Sequence, residues 1–188
     1  MALPQLREEE YYTYTDLLEW DEDVRAELHD GGVVMMAPPL RVHQEVIAQL
    51  LVQIGNYVKG KKCKVYPAPF GVRLFPKKDK SDNTVFEPDI VVVCDSEKLD
   101  DRGCNGPPDL VIEVVSPSTA KYDRVYKFRK YQKAGVKEYW IVDPDEKSVQ
   151  VCVLENGNYV MSVYDETETA PVLALKGCEI DLKTVFTE

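Results

Sequence analysis

Two short apolar runs constrain this chain more than anything else in it: Phe86-Glu87-Pro88-Asp89-Ile90-Val91-Val92-Val93 and Pro108-Asp109-Leu110-Val111-Ile112-Glu113-Val114-Val115-Ser116. Both are β-branched and bounded by proline and polar turn residues, so both read as strands. Each carries one carboxylate where apolar side chains are expected. An ionised carboxylate buried without a partner costs several kcal/mol, comparable with the whole stability of a domain, so Asp89 and Glu113 each need a cation or a hydrogen-bond donor. A shared metal ion satisfies both.

Alternation along the second run puts Leu110, Ile112 and Val114 on one face and Val111, Glu113 and Val115 on the other. Taken alone, Glu113 is better explained by a Lys or Arg partner on an open sheet face. The next segment changes the balance. Residues 120–135 read as a helix, with Ser118 or Thr119 as N-cap and Gly135 as the stop. At about 100° per residue, Tyr122, Val125, Phe128 and Tyr131 share one half of the wheel, Arg124 falls between Phe128 and Tyr131, and Lys127 lies about 40° from Tyr131. A surface pair between Lys127 and Asp123 is the plainer reading of the helix alone. Combined with the strand, however, the helix returns an ammonium over two carboxylates.

That combination suits phosphodiester hydrolysis, which needs a water made nucleophilic near neutral pH and stabilisation of charge on the phosphoryl and leaving oxygens. Carboxylate oxygens are hard ligands suited to Mg²⁺ or Mn²⁺, and an ammonium beside the metal can orient water or neutralise charge. Neither His nor Cys is required.

The series EPDIVVV, PPDLVIEVVSPST and YDRVYKFRKYQKAGVKEYWIVDP, preceded by Glu27-Leu28-His29-Asp30-Gly31-Gly32-Val33-Val34-Met35-Met36-Ala37-Pro38-Pro39, resembles the Uma-two family of endonucleases, a branch of the PD-(D/E)XK restriction-endonuclease-like superfamily. The resemblance implies an α/β (α+β) fold: a restriction-endonuclease-like mixed β-sheet flanked by helices, with additional N- and C-terminal β-hairpins. It implies a metal-dependent nuclease site in which Asp89 matches the acid of the PD motif and Glu113 the second acid, both as metal ligands. The lysine usually found two residues after that acid is absent, since Val115 stands there, and Lys127 on the following helix matches it instead. A further acid is expected from the first core helix, where Glu45 is the only one, next to His43 and Gln44. Glu27 on the preceding hairpin competes for that role, and Arg124 is an additional site candidate.

The remaining chain fits one domain of 188 residues, long enough to bury a sizeable core. Residues 13–20 read as a short helix, Asp30-Gly31 as a turn into a strand at 33–37, and 41–57 as a helix with Val46, Ile47, Leu50, Leu51, Ile54 and Val58 at helical spacing. Residues 62–75 read as extended, and 77–84 and 95–106 as loops. The second loop is rich in Asp but lacks the ligand spacing and closing Glu of a calcium loop. Residues 138–143 form a strand, and 148–154 with 159–164 a hairpin around Asn156-Gly157. Five scattered cysteines without zinc spacing, no signal peptide and no membrane-length apolar run point to packing thiols in a cytoplasmic protein. A formal charge of −10 opposes nucleic-acid binding at long range. Basic residues nonetheless cluster at 59–62, 77–80 and 121–133. An endonuclease on DNA is therefore weighed against a catalytically silent binding or regulatory module. Cutting both strands of a duplex favours a homodimer, for which the tail residues Val172, Leu173 and Leu175 offer an apolar contact.

Overall fold

The computed structural model describes residues 11–21, 24–117 and 119–186. In chain order it contains α1 (Tyr14–Glu19), β1 (Ala26–His29), β2 (Gly32–Met35), α2 (Arg41–Val58), β3 (Lys64–Pro67), β4 (Val72–Arg73), β5 (Val85–Phe86), β6 (Ile90–Val93), β7 (Leu99–Asp100), β8 (Gly103–Asn105), β9 (Leu110–Val114), α3 (Phe128–Ala134), β10 (Glu138–Asp143), β11 (Ser148–Glu155), β12 (Asn158–Asp165), β13 (Thr169–Val172) and β14 (Cys178–Asp181). The central sheet has the order β12-β11-β10-β9-β6-β3, and only its β9–β10 pair is parallel. A parallel pair needs a crossover connection, and the segment ending in α3 supplies it.

The pleat of β9 divides the core. Leu110, Ile112 and Val114, with Trp140 and Val142 of β10, pack under α2 through Val46, Ile47, Leu50, Ile54 and Val58. Val111 and Val115 face the other way, against Tyr131, Val136, Tyr139 and Ile141. With helices covering both faces, Glu113 has no open sheet face to occupy, and it is buried.

The second sheet, β2-β1-β5-β4-β8-β7, contains a departure from the sequence reading. Residues 95–106 are not a plain loop: they contribute β7 and β8, with β8 pairing parallel to β4. Gly103 permits this, because its φ is +132° and a Cβ there would lie 2.1 Å from the Gly71 carbonyl oxygen. No local pattern announces strands of two and three residues.

The crossover helix also differs from an ideal wheel. Over Tyr122–Lys127 it widens into a π-turn, in which the Phe128 N–H donates to the Asp123 carbonyl five residues back. The face predicted from 100° steps is therefore rotated: Tyr122 and Val125 are 46% and 45% exposed, whereas Asp123 and Lys127 are buried. Gly135 ends the helix in the left-handed region, its N–H donating to Tyr131 and Gln132 carbonyls. The alternative N-cap, Ser118, lies outside the described residues.

Two further expectations are corrected. Val172 and Leu175 fill the protein's own core and leave only Leu173 exposed, so that tail does not offer an apolar contact surface. Cys63 and Cys94, one step beyond the Lys64↔Val93 pair, form a disulfide, while Cys104, Cys152 and Cys178 are buried free thiols. Among the described residues no helix is long and apolar enough to cross a membrane.

Candidate active site

Lys127 is the centre of the buried polar cluster. Its Nζ donates to Glu27 Oε1 at 2.8 Å and to Glu113 Oε1 at 2.9 Å, and Asp123 Oδ1 lies 3.8 Å away. The π-turn turns Asp123 and Lys127 inward together, β9 contributes Glu113, and β1 contributes Glu27. Tyr131, one helical turn after Lys127, donates its hydroxyl to the same Glu113 Oε1 at 2.7 Å. Glu27 is held from three sides, since Oε1 also accepts the Glu87 N–H at 2.9 Å and Oε2 lies 2.8 Å from His29 Nε2. The His29 ring is in turn fixed by stacking on Tyr126 and by edge contacts with Phe86 and Tyr122.

Asp89 stands at the same end of the central sheet. The Ile90↔Ile112 pair puts Asp89 one step before β6 and Glu113 one step along β9. Asp89 Oδ2 accepts the Val114 N–H at 2.8 Å and lies 3.2 Å from His43 Nε2 on α2. Among the described residues, the hydrogen bonds to Glu113 all fall on Oε1 and those to Asp89 on Oδ2. One oxygen of each carboxylate is thereby left without a donor. No three His, Cys, Asp or Glu side chains among the described residues form a complete metal cage. The donor set instead fits an ion of the Mg²⁺ type, which binds through one or two carboxylates and retains several waters.

The electrostatics assign the protons. Burial pushes the Glu113 carboxyl well above the usual range, with Lys127 opposing and Asp123, Asp89 and Glu27 reinforcing the rise. Burial raises Asp123 likewise. For Lys127, burial favours the neutral amine, but Glu113, Glu27 and Asp123 outweigh it and hold the ammonium protonated far beyond its ordinary range. His43 is raised because Asp89 overcomes the effect of burial.

Glu27 is the opposite case: burial raises its carboxyl, but Lys127 and His29 pull it down to about 2 from an ordinary 4.5. A depressed carboxyl contributes stability that is present above the ordinary value and is lost as pH falls through the folded one. In the metal-free protein, the stability gap between wild type and Glu27→Gln should therefore narrow by about 3 kcal/mol from pH 5 to pH 2. Urea unfolding across that range measures it, and a gap independent of pH refutes the assignment.

These contacts redistribute several of the residues expected at the site, and the reasons are geometric. Glu45 does not join the cluster: it is half exposed on α2 and paired with Arg41 at 2.5 Å, because the buried face of the helix starts just after it, at Val46 and Ile47. Arg124 reaches Asp143 Oδ2 at 2.6 Å, away from Glu113. Glu27 does enter the cluster, as the anchor of Lys127. Tyr131 and His29 are polar members that the sequence reading does not place among the site residues. The i+4 spacing of Tyr131 from Lys127 and the i+2 spacing of His29 from Glu27 are the signals that could have found them.

A strand acid, a second acid at the same sheet end and a helix-borne ammonium are set on a mixed sheet covered by helices, a nuclease-like fold. The sequence model of the Uma2 family, described as "Putative restriction endonuclease", matches residues 9–183. The chain belongs to the Uma2 family. An uncharacterized protein from Synechocystis sp. is 30% identical over 130 residues, which are 68% of this chain and 63% of that protein, so the match spans less than two thirds of that relative. A crystal structure described as a "putative nuclease" from Anabaena variabilis superposes with a TM-score of 0.74 at 19% identity, covering 93% of this chain and 97% of the other, and shows the shared fold.

Proposed function

We propose that this protein is a metal-dependent endonuclease that hydrolyses phosphodiester bonds in DNA, with Asp89 and Glu113 holding Mg²⁺ or Mn²⁺ and Lys127 as the catalytic cation. The observation that carries the reading is the buried Lys127 ammonium bonded to Glu113 at 2.9 Å, beside Asp89, in a chain of the Uma2 family. A divalent ion supplies a water of lowered pKa and charge neutralisation at the phosphoryl oxygens. The remaining work falls to the protein. Lys127, kept protonated by three carboxylates, serves as a fixed positive charge toward the phosphoryl group and not as a base. Tyr131 and Lys127 hold Glu113 through one oxygen, with no donor among the described residues on the other, and the Val114 N–H and His43 do the same for Asp89.

Incubating supercoiled plasmid with the protein in Mg²⁺ or Mn²⁺, with EDTA and an RNA substrate in parallel, tests the reading. Nicking or linearisation that EDTA abolishes is expected. The net charge of −10 favours a silent binding module instead, and absence of cleavage on both DNA and RNA with either metal decides for that alternative.

A further inference from the structure

The central sheet ends in β12, and its outer edge is only partly covered. Asn156 and Gly157 both have positive φ, as a two-residue primed hairpin turn requires, so the flanking Glu155↔Asn158 pair is hydrogen-bonded. Alternation then directs the backbone of Asn158, Val160, Ser162 and Tyr164 toward β11, and that of Tyr159, Met161, Val163 and Asp165 outward. The ends of this outward row are capped. Tyr159 N–H donates to Gln132 Oε1 at 3.1 Å; Asp165 N–H donates to Glu168 Oε2 at 2.9 Å, and the Asp165 carbonyl accepts the Glu168 N–H at 3.2 Å. Among the described residues, no hydrogen bond from another element reaches the outward backbone groups of Met161 or Val163.

The uncapped gap coincides with exposed apolar side chains: Val160, Met161 and Val163 are 51%, 48% and 60% exposed. Lysine, proline and bulges, which usually guard an edge strand, are absent from β12. The gap is also self-complementary. Two copies laid antiparallel about a two-fold axis at Ser162 pair Met161 with the partner's Val163 and Val163 with the partner's Met161. All four free N–H and C=O groups of each copy's pair are then used. Val160 faces the partner's Tyr164, and Asp165 faces the partner's Tyr159, so no like charges meet despite the charge of −10 on each chain. An axis at Met161 would set Val163 against the already capped Tyr159, and an axis at Val163 would set Met161 against Asp165, whose groups are both taken. Only the Ser162 axis fits.

We propose that β12 is the self-association edge of this protein, joining two copies into a twelve-stranded sheet centred on Ser162. The inference does not depend on the nuclease reading. Sedimentation of the full chain over a concentration series should give a dimer. Val163→Pro removes an outward N–H that the β11 pairing does not use, and should weaken dimerisation about tenfold or more with an unchanged far-UV spectrum. Ser162→Cys places two thiols opposite each other at a non-hydrogen-bonded pair and should crosslink under mild oxidation, while Val160→Cys should not. The native free thiols are buried and do not compete. A wild-type monomer at all concentrations overturns the proposal. So does dimerisation unaffected by Val163→Pro, or crosslinking of Val160→Cys as readily as Ser162→Cys.

Discussion

Glu113→Gln is expected to lower cleavage by about a thousandfold or more while leaving the metal-free protein as stable as wild type or more so. Gln preserves shape and still accepts from Lys127 and Tyr131, but it lacks the charge that holds a divalent cation. The stability expectation follows from three buried acids, Glu27, Glu113 and Asp123, sharing one ammonium. Burial raises the Glu113 carboxyl in the fold. A raised carboxyl binds its proton more tightly folded than unfolded, so its contribution is present below the ordinary value near 4.5 and is lost as pH rises. The advantage of the variant should therefore vanish in acid and grow toward alkaline pH. Melting curves with and without Mn²⁺ provide the check. A wild type that shows no metal-dependent shift, together with a variant that is simply less stable, would sink the metal site at Glu113.

Lys127→Met should have the opposite effect on the fold. It removes the cation and leaves Glu27, Glu113 and Asp123 buried together, which costs about 3–5 kcal/mol by the usual scale for breaking a buried pair. For a chain of this size that lowers Tm by roughly 10 °C. Adding Glu27→Gln should recover part of the loss, because it removes one of the buried carboxylates that Lys127, bonded to Glu27 at 2.8 Å, would otherwise compensate. Thermal unfolding of the single and double variants measures this. A loss below about 1 kcal/mol for Lys127→Met would mean that water already reaches the cluster.

Both variants touch a cluster that is only half legible in the sequence. The strands bearing Asp89 and Glu113, the limits of α2, the Gly135 stop and the Asn156-Gly157 turn can be read because each depends on a few neighbouring residues. The placement of Lys127 against Glu113 follows from the family pattern of strand, turn and helix. The pairing with Glu27, named from the resemblance only as a competing acid, does not: Glu27 is 100 residues away and reaches Lys127 from the other sheet, whose short strands carry no periodic signal. The wheel misplaces Tyr122 and Val125 because it assumes steps of about 100°, which a π-turn does not keep. The role of the tail is misread because apolar residues near a terminus do not say whether they cover the chain's own core or another's.

The π-turn over Tyr122–Lys127 has a consequence for how such a site can change over time. A wide turn amounts to one residue more than a regular helix would hold, so this stretch acts as a phase adjuster between the strand acid and everything beyond Lys127. Losing its exposed Val125 would restore even winding and swing the ammonium away from Glu113, with no chemically important side chain replaced. A lineage could retain every acid and every lysine and still fall silent through a single codon deletion. Comparison of relatives by composition alone would overlook that loss, whereas spacing across residues 113–127 would reveal it.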